Sequence, residues 1–176
     1  MNTMEAILTR YSCRSYKNIP VEKEVLQNVL IAAYAAPNAD AAYEDMQLTV
    51  VQDPEALDDI REIYRKAAEK PDADPLYGAP VFIILSTFVP ENDPVGYANA
   101  GCVVENMALA ATEAGLGQVY IYGLFDDLRI RNNHVLEEYL QLTDGKVPIS
   151  GIVLGYPAEE KKKAAVQNER IKTVYI

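Results

Sequence analysis

The hydrophobic pattern changes period several times along this chain, and each change predicts an element. Residues 4–10 read as one short helix. Val25, Leu26, Val29, Leu30, Ala33 and Tyr34 recur at helical spacing, predicting a strong helix from Val21 to Ala36 that Pro37-Asn38 ends. After a loop over Ala39 to Asp45, Met46 to Val51 is apolar and β-branched and reads as a strand. Asp53-Pro54 then opens a helix over about 54–69, with Asp53 as N-cap. Pro71 to Gly78 reads as an irregular loop. Val81 to Thr87 is apolar on both faces, the pattern of a central buried strand, and Pro80 stands at its tolerated first position.

Residues 95–115 predict a long helix rich in glycine and alanine, a surface that another helix can approach closely. Gly115-Leu116-Gly117 reads as its stop. A strand at Val119 to Tyr122, a helical piece near 126–141 and a strand at about 149–154 complete the series. The tail ends in Thr173-Val174-Tyr175-Ile176, a β-prone peptide without an obvious partner in the chain, which suggests strand addition to a neighbouring subunit. The order of elements predicts an α/β or α+β layer domain.

With 176 residues, the length implies one domain. Charge changes the picture more. The net charge of −10 disfavours nucleic acid and anionic membrane surfaces as partners. Its distribution is uneven: residues 1–20 carry +2, residues 161–176 carry +4, and residues 21–160 carry −16. Two basic ends that met in the fold would suit one compact anion such as a phosphate. Cys13 and Cys102 imply neither a disulfide framework nor a metal-ligand spacing. No signal-peptide core opens the chain and no apolar run is long enough to span a bilayer, so a cytoplasmic protein with free thiols is expected.

Candidate chemistry is sparse. There is no Rossmann fingerprint and no P-loop. His134, the single histidine, sits in a polar stretch and reads as surface. Cys13 lies near two arginines but lacks an evident base, and reads as a small filler in a tight loop. The segment Arg10-Tyr11-Ser12-Cys13-Arg14 holds two guanidinium forks and a hydroxyl, which is chemistry suited to phosphate oxygens. By itself it reads better as a solvated basic loop with a serine cap.

Taken in order, the chain resembles the nitroreductase family of FMN-dependent oxidoreductases. Arg10-Tyr11-Ser12-Cys13-Arg14-Ser15-Tyr16 is similar to that family's Arg-x-Ser-x-Arg-x-aromatic motif, and Ala36-Pro37-Asn38 to its Ala-Pro-Ser turn. Tyr77-Gly78-Ala79-Pro80-Val81 resembles its entry into a central strand. Glu105 to Ala111 with Gly115-Leu116-Gly117 resembles its long helix and exit, and Gly151 to Pro157 its last strand and Gly-Tyr-Pro turn.

The resemblance implies an α+β fold of three layers, with a central, mostly antiparallel sheet between helices. It implies a homodimer with FMN in two interface sites, and an arm over 157–176 whose C-terminal strand is exchanged with the partner. Arg10, Tyr11 and Ser12 would bind the phosphate and ribityl end, with Lys163 or Arg170 completing the phosphate site. Arg14 would approach the N1/O2 edge of the ring, where reduction leaves negative charge. Tyr120, Ile121, Tyr122 and Gly123 would lie along the ring near N5, and Pro37, Asn38 and Ala39 would face its other edge from the partner. The implied activity is ping-pong electron transfer from NAD(P)H to nitroaromatic, quinone or similar acceptors.

The family's loop after Pro37 usually carries an asparagine and then Gln-Pro-Trp. Here those positions are Ala41 and Tyr43-Glu44-Asp45, and Tyr122 stands where a glutamate is common. The alternatives these departures raise are other flavin chemistry on the same fold, such as dehalogenation or flavin fragmentation, and flavin binding without turnover.

Overall fold

The computed structural model describes residues 1–89, 94–142, 144–159 and 171–176. Its centre is a four-stranded sheet in the order β1-β2-β4-β3, with every pairing antiparallel. β1 is Met46–Val51, β2 Val81–Thr87, β3 Gly117–Ile121 and β4 Val147–Gly155. β2 is buried at all seven positions because it lies between β1 and β4 with helices over both faces. The β2–β4 register shifts between Leu85 and Ser86, so one residue of β4 bulges out of the ladder.

Helices α1 (Thr3–Thr9), α2 (Lys23–Tyr34) and α4 (Val95–Glu113) lie on one side. Leu26, Val29 and Ala33 of α2 and Val103, Val104, Met107 and Ala111 of α4 pack with Ile83, Leu85, Ile152 and Leu154 of the sheet. Helices α3 (Pro54–Ala68), α5 (Gly123–Ile130) and α6 (Val135–Tyr139) cover the other face, where Leu57, Ile60, Phe125, Leu128 and Leu136 meet Phe82, Ile84 and Val153. The result is the expected three-layer α+β arrangement.

Local signals work as anticipated in α3. Asp53 accepts from the Glu55 amide at 2.9 Å, Pro54 occupies the first turn, and Leu57, Ile60, Tyr64 and Ala68 are buried at three-and-four spacing. Two expectations are corrected. The stretch near 126–141 is two helices rather than one: Asn132 takes a left-handed backbone (φ 50°), and Asn133 Oδ1 accepts from the Val135 amide at 3.1 Å to start α6. Gly115 (φ 77°) does stop α4, but Gly117 already belongs to β3, which begins there rather than at Val119.

Tyr64, Lys70 and Asp127 tie α3 to α5. The Tyr64 hydroxyl donates to Asp127 Oδ2 at 2.7 Å, and Lys70 Nζ reaches the same oxygen at 2.6 Å. Among the described residues, no helix is long and apolar enough to cross a membrane. Residues 171–176 join no strand, and Ile171, Val174, Tyr175 and Ile176 are exposed.

Candidate functional site

The segment after α1 does not remain in solvent. Arg10 caps α1, its amide donating to the Ala6 carbonyl at 2.9 Å. The chain then runs beside the start of β3. Ser12 bridges to Gln118, the Cys13 amide donates to the Gln118 carbonyl at 2.8 Å, and the buried Gln118 amide donates to the Tyr11 carbonyl at 3.2 Å. Two residues later the segment crosses the exit of β4. Tyr16 bridges to Pro157, the Lys17 amide donates to the Tyr156 carbonyl at 2.8 Å, and the Ala158 amide donates to the Ser15 carbonyl at 3.0 Å. The N-terminal basic segment therefore lies against the strand end from which the C-terminal region departs. Lys163 and Arg170 lie outside the described residues.

Docking this close requires a glycine. A Cβ on Gly117 would sit 2.6 Å from Cys13 Sγ and 2.9 Å from Cys13 Cβ. Cys13 is 4% exposed and its thiol is 3.3 Å from the Ser15 carbonyl, so it fills the seam between loop and strand. The Tyr16 hydroxyl donates to the Cys13 carbonyl at 2.8 Å; burial, reinforced by Cys13, holds this phenol well above its ordinary pKa, so it remains protonated and donating.

Both arginines of the segment have identifiable neighbours. Arg10 Nε lies 3.4 Å from Glu105 Oε1 of α4, and the Arg14 guanidinium stands over the Tyr77 ring at 5.7 Å from its centroid. Along β3, Tyr120 follows Gln118 by two residues, roughly 7 Å at strand rise. Tyr120 and Tyr122 are partly exposed and Ile121 is buried. Partial burial raises the Tyr120 phenol. Tyr122 precedes α5 without any side chain capping the helix, and a Cβ on Gly123 would meet nothing within 4 Å. Its hydroxyl donates to Asp126 at 3.2 Å, and Arg129 pairs with the same carboxylate.

Pro37, Asn38 and Ala39 are not brought to this cluster within one chain. They sit where β1 starts, beside the first turns of α4. Asn99 donates to Asn38 Oδ1 at 2.6 Å and accepts from the Ala39 amide at 3.1 Å. Asn99 precedes Glu105 by six residues, about 9 Å along the helix. Just beyond, Asp40 and Ala41 are both left-handed (φ 57° and 54°). His134 is exposed and 2.8 Å from Glu137, at the start of α6, in keeping with a surface residue.

The contacts made by Gln118, Tyr77, Glu105 and Asn99 escape the sequence reading, although Tyr77 and Glu105 fall in segments it singles out. Each acts on a residue at least 60 positions away in the chain, and no local pattern signals such a contact.

Comparison with known proteins identifies the family and the fold. The model of the family described as "Nitroreductase family" matches residues 7–156. A protein of Methanothermobacter thermautotrophicus, provisionally named an NADH dehydrogenase/NAD(P)H nitroreductase, is 33% identical over 164 residues, covering 90% of this chain and 79% of that protein. An FMN reductase [NAD(P)H] of Bacillus subtilis is 31% identical over 187 residues, covering 93% and 69%. Among solved structures, a Bacteroides fragilis nitroreductase with bound FMN shares the fold at a TM-score of 0.83 and 24% identity, covering 99% of this chain and 100% of that one.

Proposed function

The chain belongs to the nitroreductase family, and from that premise we propose that it is an FMN-dependent NAD(P)H oxidoreductase working as a homodimer. When bound, FMN supplies the redox chemistry, taking electrons from NAD(P)H and passing them to a nitroaromatic, quinone or similar acceptor in alternating half-reactions. The chain's own residues bind and orient it.

The observation that carries this reading is the docking of residues 11–16 between the start of β3 and the exit of β4. It holds the backbone from Ser12 to Lys17 against the sheet, so that Arg10, Ser12 and Arg14 belong to one short docked segment. Arg10 and Ser12 supply charge-assisted and neutral donors to the phosphate and ribityl end, with Tyr11 beside them. Lys163 or Arg170, both outside the described residues, is the C-terminal cation that would complete the phosphate site. Arg14 serves the N1/O2 edge, where a cation stabilises the charge left by reduction. Tyr120, Ile121, Tyr122 and Gly123 run along the ring. The space beside Gly123 and the uncapped start of α5 fit an acceptor atom such as N5. The Pro37–Ala39 turn, held by Asn99 of α4 rather than by the docked segment, serves the site of a second copy.

Exposed apolar side chains support the dimer. Met4, Ile7 and Leu8 of α1 and Ile31 and Tyr34 of α2 are open to solvent in the single chain. So is the arm's terminal peptide, and β1 presents a free edge to which it can add. The whole chain is then one domain with residues 157–176 as an arm. Both cysteines are free, in keeping with the reducing cytoplasm.

Arg10→Ala tests the phosphate assignment. Losing a charged contact worth about 1.5–3 kcal/mol weakens FMN binding roughly 10- to 100-fold, while riboflavin, which lacks the phosphate, binds both proteins alike. Equal FMN affinity for the two proteins removes Arg10 from the site.

A further inference from the structure

Tyr77 is the exposed aromatic among the residues held in left-handed backbone (φ 55°) in the stretch between α3 and β2, and the following Gly78 is left-handed too (φ 71°). A bulky aromatic in that region is a true outlier, and it persists only where its surroundings over-determine it. Here they do. The Asp74 carboxylate accepts from the amides of Leu76 at 2.9 Å and Gly78 at 2.6 Å, and it is fixed in turn by Arg61 Nε at 3.1 Å. Leu76 and Ala79, on either side, are fully buried, and the Ala79 amide donates to the Leu76 carbonyl at 3.0 Å.

All this anchoring acts on the neighbours of Tyr77 and none of it on the ring. The Tyr77 side chain is not a core residue: it is 36% exposed, and the Arg14 guanidinium stands over its ring, 5.7 Å from the centroid. Arg14 belongs to a different element, the loop docked on β3. The strained turn thus presents an aromatic face to one particular cation.

We propose that Tyr77 is the positioning residue for Arg14, a platform that holds the guanidinium at the N1/O2 edge of the flavin and thereby sets the flavin's reduction potential. This rests on the placement of Arg14 at the N1/O2 edge given above. A flexible arginine samples many rotamers, and the ring restricts it to those lying over its face, so the positive charge is in place before reduction creates the negative one. Removing the ring lowers the preference for reduced over oxidised FMN and leaves the fold intact.

The test is a double-mutant cycle on the FMN-loaded protein, read as the two-electron midpoint potential by equilibration with a reference dye. Tyr77→Asn is the informative variant, because asparagine tolerates left-handed backbone and lacks the ring. It is expected to melt at or above wild type as apo-protein and to lose about 2- to 5-fold in preference for reduced FMN, a potential lower by about 10–20 mV. Tyr77→Phe keeps the ring and the wild-type potential. Arg14→Gln lowers the potential, and adding Tyr77→Asn to it changes nothing further.

If Arg14→Gln lowers the potential and Tyr77→Asn does not, or if Tyr77→Asn acts equally in the Arg14→Gln background, Tyr77 does not work through Arg14 and the inference is overturned. It is also overturned if Tyr77→Asn melts well below wild type, which would make the ring a structural support. If Arg14→Gln leaves the potential unchanged, the placement of Arg14 falls first and the inference falls with it.

Discussion

Gly117→Ala is the smallest change that separates the binding segment from the sheet. The added methyl meets Cys13 Sγ at 2.6 Å and Cys13 Cβ at 2.9 Å. The second contact decides the outcome: a thiol can turn away, but a Cβ moves only with its backbone. Residues 12–14 must retreat from β3, lengthening the 2.8 Å bond from the Cys13 amide to the Gln118 carbonyl and straining the Ser12–Gln118 bridge. Overpacking a close contact costs about 1–3 kcal/mol, and a weakened hydrogen bond adds up to about 1 kcal/mol. For a chain of this length that lowers Tm by roughly 2–15 °C. FMN affinity should fall as well, because Arg10, Ser12 and Arg14 shift together. Calorimetry of the apo-protein and fluorescence titration with FMN read the two effects separately. A variant that melts within a degree of wild type and binds FMN equally well would refute the claim that this seam fixes the site.

Three further outcomes are expected. Ala41 carries a side chain in left-handed backbone (φ 54°), so Ala41→Gly relieves strain worth about 0.5–1 kcal/mol and raises Tm by about 1–4 °C in a melt of the apo-protein. The Lys70 ammonium, with the Tyr64 hydroxyl, holds the Asp127 carboxyl below its ordinary pKa. A depressed folded-state value contributes stability that is fully present above the unfolded-state value of about 3.9 and is lost as pH falls through the folded-state value, so the Tm gap between wild type and Asp127→Asn at pH 7 should narrow as pH is taken below about 3.9. Ile31→Glu places a charge on the exposed apolar face of α2 and should shift sedimentation from dimer to monomer; an unchanged dimer would move the interface elsewhere.

The sequence makes the framework legible where one element carries its own signal. Met46–Val51 and Val81–Thr87 are the two predicted strands to the residue, since an apolar β-branched run bounded by turn residues has no competing reading. The stretch from 123 to 139 is harder: Leu124, Leu128 and Leu136 keep helical spacing across the break, which the left-handed backbone of Asn132 and the Asn133 side chain make at 131–134. At the site, Arg10, Ser12 and Arg14 are visible because they are charged or polar and close in sequence. Their supports are not visible. Gln118 and Tyr77 look like ordinary strand and loop residues, and their roles come from contacts over 107 and 63 positions of chain. Gly117 shows the same limit in reverse: its sequence context reads as a helix stop, and its purpose is the approach of Cys13.

The central claim is that this chain holds FMN and passes electrons through it. The most direct test is the visible absorbance of the protein incubated with FMN and freed of excess, followed by anaerobic titration with NADH and with NADPH. The expected result is a retained flavin band that one or both nicotinamides bleach stoichiometrically and that a quinone restores. A protein that stays colourless, or one whose bound flavin neither nicotinamide reduces, would contradict it.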